Sequence, residues 1–241
     1  MKKVALITGG SGQLGDDICH RLSDDGYLVI LHYCSGRKRA EDIKKSILNK
    51  GGDCHLIECD FSKPELVQEM FTSISEKFKR IDVLVNNAGL DGGRFDVANT
   101  PLEVHQKVMA VNYFSAVECI RLATIIMRRN NMSGVIVNVS SQAAVYGGYQ
   151  LSHYAASKAA LVAYSIGAAR DLMKDDIRLN NISPGVLENS DMSLERKTRI
   201  LSEIPASRLV ESTDVSNTIS WLVSDQSKYI SGITLPISGA R

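Results

Sequence analysis

Seven short apolar runs, each separated from the next by an amphipathic stretch, limit the folds open to this chain. The runs at 4–8, 28–33, 55–59, 83–86, 135–139, 178–182 and 234–237 are mostly unbroken by polar residues. That is the pattern of parallel strands covered on both faces. Between them, helical periodicity covers 13–25, 37–49, 64–78, 101–129, 151–174 and 213–224. Pro64 and Pro101 stand near helix starts and Gly26 follows the end of the first helix, as capping preferences require. Strand–helix alternation predicts an α/β fold, a doubly wound parallel sheet with right-handed crossovers. The 241 residues suit one such domain spanning 1–241 and are few for two. No repeat, linker or low-complexity tract divides them.

Several function classes are disfavoured at once. A formal net charge of +1 gives no reason to expect nucleic acid or a membrane surface as partner. No unbroken apolar run reaches the roughly 18 residues of a membrane span, so none is expected. The start, "MKKVALITGG", is basic and then apolar, but the apolar part is too short for a secretory leader and runs into a glycine turn. Five cysteines include no C-x-x-C pair, and Cys54, His55 and Cys59 on one strand suit core or solvent positions rather than a metal. Their odd number and the absence of a leader point to a reducing cytoplasm.

The turn "TGGSGQLG" follows the first strand and opens the first helix, the setting a glycine motif needs in order to bind a dinucleotide. Glycines permit positive φ there and let backbone N–H groups approach a pyrophosphate at the positive helix end. After the second strand, "VILHYCSGRKRAED" has no acidic residue between 29 and 39 to accept a ribose 2′-hydroxyl. Instead Arg37, Lys38 and Arg39 stand in a row at a helix start, where cations oppose the dipole unless an anion is nearby. NADP(H) is therefore expected, with Arg37 and Lys38 at its 2′-phosphate.

A second constellation lies in "NVSSQAAVYGGYQLSHYAASKAAL". Tyr154 and Lys158 are four residues apart, on one face of a helix. A free tyrosine, with a pKa of about 10, is a poor acid–base at neutral pH. A nearby ammonium would favour its phenolate and draw that value down. A hydroxyl at the end of the preceding strand, Ser140 or Ser141, could hold a carbonyl oxygen against the phenol.

Thr8-Gly9…Gly15, Asp60, "NNAG" (Asn86 to Gly89), Asn112, Ser141, Tyr154-x-x-x-Lys158 and Pro184-Gly185 occur in the order and at the spacings of one family. Along its whole length the chain resembles the short-chain dehydrogenase/reductase superfamily, above all its 3-oxoacyl-carrier-protein reductases and the neighbouring sugar and carbonyl reductases. The resemblance implies a Rossmann sheet and an oxidoreductase acting on C=O or CH–OH groups. It implies that Tyr154 is the general acid and that Lys158 binds the nicotinamide ribose and lowers the Tyr154 pKa. Ser141, thirteen residues before Tyr154, would hold the substrate oxygen, and Asn112 would hold a water linking Lys158 to solvent. The turn residues Thr8, Gly9, Ser11, Gly12, Gln13, Leu14 and Gly15, with Asp60, Phe61, Asn87, Ala88, Gly89, Pro184 and Gly185, would line the cofactor.

The chain departs from the short form in particular places. Gln13 replaces the middle glycine, so the turn matches that of the superfamily's extended branch, although the chain is too short for that branch's second domain. Gln13 is expected to start the first helix, with Gly12 supplying the flexible approach one residue earlier. Asn189 or Ser190 stands where many relatives use threonine for the carboxamide, and Ser238-Gly239-Ala240 replaces the usual Asp-Gly-Gly. A basic patch for an acidic carrier protein would include Arg128 and Arg129, but Asp175 and Asp176 occupy its other half. The reading is an NADPH-dependent reductase of a ketone or 3-oxoacyl thioester, small or carrier-bound. Oxidation of a sugar or polyol with NADP+ is the alternative, and a non-catalytic nucleotide sensor is disfavoured by the intact Asn112, Ser141, Tyr154 and Lys158. A homotetramer is expected from the apolar surface of the 101–129 helix (Val108, Val111, Phe114, Val117, Ile120, Leu122, Ile125).

Overall fold

A computed structural model describes residues 2–188 and 192–240. Its strands are β1 (Val4–Ile7), β2 (Leu28–Tyr33), β3 (Asp53–Glu58), β4 (Val83–Asn86), β5 (Gly134–Val139), β6 (Ile177–Pro184) and β7 (Thr234–Ile237). They form one parallel sheet in the order β3-β2-β1-β4-β5-β6-β7. The order reverses between β1 and β4, which opens a crevice at the carboxyl ends of these strands, the ligand position of such sheets. The helices are α1 (Gln13–Asp24), α2 (Arg37–Asn49), α3 (Pro64–Phe78), α4 (Leu102–Met109), α5 (Ser115–Arg129), α6 (Ala143–Tyr146), α7 (Ser152–Leu172), α8 (Leu194–Ser202) and α9 (Ser212–Val223).

Alternation along each strand divides the core in two. Ala5 and Ile7 of β1 pack with α1, α2 and α9 through Ile18, Leu22, Ile43, Ile47 and Ile219. Val4 and Leu6 face the other way, onto Phe71 and Ile74 of α3, Cys119 and Met127 of α5 and Leu172 of α7. Cys54 belongs to the first cluster and Cys59 to the second, so these two cysteines do not face one another.

Most element boundaries agree with the sequence pattern to within two residues. The third strand begins at Asp53, directly after the left-handed turn at Gly51 (φ +83°). Its last expected residue, Cys59, lies outside the strand but still donates its N–H to the Tyr33 carbonyl at 3.0 Å. The helix expected over 101–129 is one rod with a π-helical turn, Ala110–Phe114, inserted between α4 and α5. Over its most apolar 18 residues this rod has a mean hydropathy of 1.3, enough by length and composition to cross a membrane. Core helices of globular folds meet the same measure, so it does not make this rod a membrane span. Half of that window is buried within the fold. Val108, Ile120 and Leu122, expected on a subunit face, are also core residues, whereas Phe114 and Ile125 are exposed.

A line of buried amides crosses four strands at matched register. Asn86 Nδ2 donates to Asn138 Oδ1 (2.8 Å), Asn138 Nδ2 to Asn181 Oδ1 (3.3 Å), and Asn181 Nδ2 to Thr234 Oγ1 (3.2 Å). Asn138 Nδ2 also reaches Ser165 Oγ of α7 at 2.8 Å. A one-residue slip of any of these strands would bury unpaired amides, which fixes the register beneath the crevice.

Candidate active site

The glycine turn closes with one bond of its own, Gly12 N–H to the Gly9 carbonyl at 3.1 Å, and is otherwise held by its neighbours. Thr8 Oγ1 accepts the N–H groups of Asn87 and Ala88, both at 3.0 Å, and Asn87 Nδ2 donates back to the Thr8 and Gly9 carbonyls at 2.9 and 3.1 Å. Gly9 has φ +65°, and a side chain there would lie 2.8 Å from the Ala88 Cα. At Gly15 a Cβ would meet the Gly9 carbonyl oxygen at 2.2 Å, so helix and turn touch only through glycine. Gly12, expected to give the flexible approach, has ordinary extended geometry (φ −74°, ψ 169°) and caps α1 without a side chain. The positive φ is at Gly9. Gln13 does start α1, and its Nε2 donates to the Glu188 carbonyl at 2.9 Å, fastening the turn to the segment after β6. With no side-chain cap on α1, the N–H groups of its first turn are left for a ligand.

Sequence reasoning missed His32 as a site residue. At the end of β2 its Nδ1 accepts the Gly9 N–H at 3.0 Å, leaving Nε2 as donor to the Cys59 carbonyl at 3.0 Å. Burial pushes this imidazole down to about 4, so it is neutral near pH 7, as those two contacts require. Its ring stacks on Phe61, with centroids 4.1 Å apart and planes within 9°. A histidine ending an otherwise apolar strand beside a glycine turn was the available signal.

A cavity of about 650 Å³ runs along the crevice, bounded by the glycine turn and Gly15, His32, Asp60 and Phe61, and Asn87 to Gly89. Its far end is formed by Ser141, Tyr154, Lys158, Pro184 and Gly185. Of the residues expected to line the cofactor, Ser11, Gly12, Gln13, Leu14 and the others just named are all in its wall. Thr8 lies behind it as a brace. Arg37 and Lys38 are not in the wall, which ends at Cys34 and Ser35; the left-handed turn at Gly36 (φ +77°) starts α2 beyond it. Arg37 Nε lies 3.4 Å from Glu41, and Lys38 has no ion pair among the described residues. Asn189 and Ser190, considered for the carboxamide, lie outside the described residues. Asp60 is anchored by Ser62, whose N–H and hydroxyl reach Oδ1 at 3.0 and 2.8 Å and hold its carboxyl below the usual range.

Tyr154 and Lys158 share a face of α7 near the end of β5. Lys158 Nζ is buried and donates to the Val139 carbonyl at 2.8 Å. Burial lowers its pKa from 10.5 to about 8. The Tyr154 phenol is raised above its ordinary value, first by burial, against a hydrogen bond from Ser141 that lowers it; Asp91 adds to the rise. The expected lowering by Lys158 is not seen: burial sets the direction, and the ammonium stands over the ring, Nζ 5.9 Å from its centroid. Ser140 Oγ is committed to the Lys158 carbonyl at 3.3 Å, whereas Ser141 faces the phenol, which separates the two serines. Asn112 is buried in the π turn. Its Oδ1 accepts the Leu90 N–H at 2.7 Å, and its Nδ2 donates to the Leu90 carbonyl and Ser157 Oγ, both at 2.9 Å. Its side chain braces the loop after β4. A second cavity, of about 570 Å³, shares Ser141, Tyr154, Pro184 and Gly185 with the first.

The family model for short chain dehydrogenases matches residues 3–200. The chain belongs to the short-chain dehydrogenase family. This short-chain dehydrogenase is 34% identical to the 3-oxoacyl-[acyl-carrier-protein] reductase FabG of Staphylococcus aureus, over 99% of this chain and 98% of the relative. Its structure resembles that of NAD+-bound xylitol dehydrogenase (TM-score 0.90, 27% identity, 98% of each chain covered). It also resembles a 7α-hydroxysteroid dehydrogenase complexed with NADH and a 7-oxo bile acid (TM-score 0.92, 28% identity, 98% of this chain and 93% of that one). As a member of the family it is an oxidoreductase acting on CH–OH or C=O groups.

Proposed function

We propose that this short-chain dehydrogenase is an NADPH-dependent reductase of a ketone or 3-oxoacyl compound. The wall shared by the two cavities carries the reading: Ser141 and Tyr154 stand where a nucleotide in one would meet a carbonyl in the other. The residues of the first cavity suit a dinucleotide, with close-approach glycines, an uncapped helix start and a volume of about 650 Å³ running from the glycine turn to Tyr154. Bound there, the cofactor would supply a hydride to the carbonyl carbon. Tyr154 gives its phenolic proton to the carbonyl oxygen, Ser141 orients that oxygen, and Lys158 neutralises the phenolate left behind. A phenol held protonated by burial is in the form that gives a proton in the reduction direction. Sugar or polyol oxidation, the activity named by the xylitol enzyme, uses the same groups in reverse.

Arg128 forms a hydrogen-bonded ion pair with Asp175, 2.6 Å from Nη2 to Oδ2, so the basic patch that would greet an acidic carrier protein is partly neutralised. A free rather than carrier-bound substrate fits that surface better. Five free cysteines, four of them buried, suit a reducing cytoplasm.

NADPH is expected to bind more tightly than NADH through the cations just beyond Ser35. Arg37→Gln with Lys38→Gln should shrink the preference, each charge-assisted contact contributing roughly 1.5–3 kcal/mol. Equal dissociation constants for the two cofactors in calorimetric titration would remove NADPH from the reading. A homotetramer is proposed on narrower grounds than the sequence offered, from exposed Phe114 and Ile125 and from Ile166 on α7. A monomeric mass in light scattering at micromolar concentration would overturn it.

A further inference from the structure

The second cavity has a charge that neither the family nor the proposed reaction requires. Beyond Ser141 and Tyr154 its wall comprises Tyr146, Tyr149, Leu151 and Val186, with Arg94 from the loop after β4 and Arg199 from α8. No carboxylate is among its described lining residues. Several other arginines are matched to acids, among them Arg80 to Asp82, Arg121 to Glu118, Arg128 to Asp175 and Arg208 to Asp214, and Arg178 is held by carbonyls. Arg94 and Arg199 have no ion pair among the described residues. Arg94 Nη1 donates to the Tyr149 carbonyl at 3.0 Å, which aims the guanidinium along the cavity rim and leaves its other donors open. Tyr146 and Tyr149 are 74% and 82% exposed, large rings left open by the described residues. Two guanidinium groups from separate elements, converging on a concave site without an acid, favour an anion that each can grip with a planar fork. The tyrosine rings between them suit the apolar middle of such a ligand.

We propose that the substrate is an anionic carbonyl compound, its carboxylate or phosphate held by Arg94 and Arg199 while its C=O lies at Ser141 and Tyr154. This rests on the reductase reading for the reaction but not for the binding. The test uses the full chain with NADPH and matched probes. For carboxylates these are 4-oxopentanoate, 5-oxohexanoate and 6-oxoheptanoate against their methyl esters. For phosphates it is 4-oxopentyl phosphate against 5-hydroxypentan-2-one. Each probe is assayed for turnover, and each is also titrated calorimetrically into Tyr154→Phe protein loaded with NADPH, where binding is read without reaction.

The charged member of at least one pair should have a KM and a dissociation constant roughly 10- to 100-fold below its neutral partner, the factor expected of one or two charge-assisted hydrogen bonds. Whichever arm shows the larger ratio identifies carboxylate or phosphate. Arg199→Gln and Arg94→Gln should each bring that ratio toward one, and Arg199→Lys should restore part of it, which loss of folding would not do. Raised salt should shrink the ratio. Turnover of the ketones with no preference for the charged members overturns this proposal and leaves the reductase reading standing. So does a preference untouched by either glutamine variant. Arginine-dependent binding of the anions with no turnover of any ketone overturns the reductase reading instead.

Discussion

Tyr154→Phe is expected to keep NADPH binding and to lose turnover by roughly 10²–10⁴-fold, the contribution of a positioned acid–base group. The variant keeps the ring, its place on α7 and its contact with Lys158, and removes only the hydroxyl beside Ser141. Because burial already holds this phenol protonated, the loss should be a fall in kcat for reduction with little change in KM, measured by NADPH oxidation against saturating ketone. Undiminished turnover in a correctly folded Tyr154→Phe protein would mean that the proton comes from another group. A chain that only sensed nucleotide would have no turnover to lose.

Lys158→Met should act in opposite directions on activity and stability. The Lys158 ammonium is buried at 4% exposure and its pKa falls from 10.5 to about 8. That gap corresponds to roughly 3 kcal/mol of unfavourable burial of the charged form. The sign follows from the direction. A folded-state pKa below the unfolded one penalises folding fully below about pH 8, and the penalty fades as pH rises from about 8 towards 10.5. Methionine fills similar space without the charge and gives up the hydrogen bond to Val139, worth about 1 kcal/mol net. Denaturant unfolding of the cofactor-free proteins at pH 7 should therefore show the variant more stable by about 2 kcal/mol. The advantage should shrink above pH 8, while turnover collapses at least as far as in Tyr154→Phe. Equal or lower stability at pH 7 would show that the ammonium is compensated within the fold. The double variant should lose less than the sum of the two activity losses, since the residues act as one unit.

The sheet was legible because its strands are buried on both faces, and burial on both faces leaves unbroken apolar runs such as Val4 to Ile7. The glycine turn and the Tyr154–Lys158 pair were legible for a different reason: each needs particular residue types at fixed spacing. What escaped depends on partners distant in sequence. His32 is a site residue only because Gly9, Cys59 and Phe61 surround it. The direction of the Tyr154 shift depends on how deeply α7 is buried, which the four-residue spacing to Lys158 does not encode. In the sequence Gln13 reads as an altered glycine, and its bond to Glu188, 175 positions away, has no local signature. Arg94 lies in the loop after β4 and Arg199 on α8, about a hundred positions apart with no shared motif, so their common cavity exists only in three dimensions.

The widened turn at Ala110–Phe114 sets how this chain can change by insertion and deletion. A π turn holds one residue more than an α-helix needs to cover the same path, and each residue of an α-helix advances the face by about 100°. Deleting a single residue there would give better helical hydrogen bonding and a worse protein. The half of the rod before the cut would swing round by that angle, taking Val108 off the core and Asn112 away from Leu90 and Ser157. The extra residue is therefore a local defect kept by distant anchors. A point change on the outside of the rod leaves its phase alone, but loss of one codon in this stretch shifts the phase between the helix that reaches the crevice and the helix that packs the sheet.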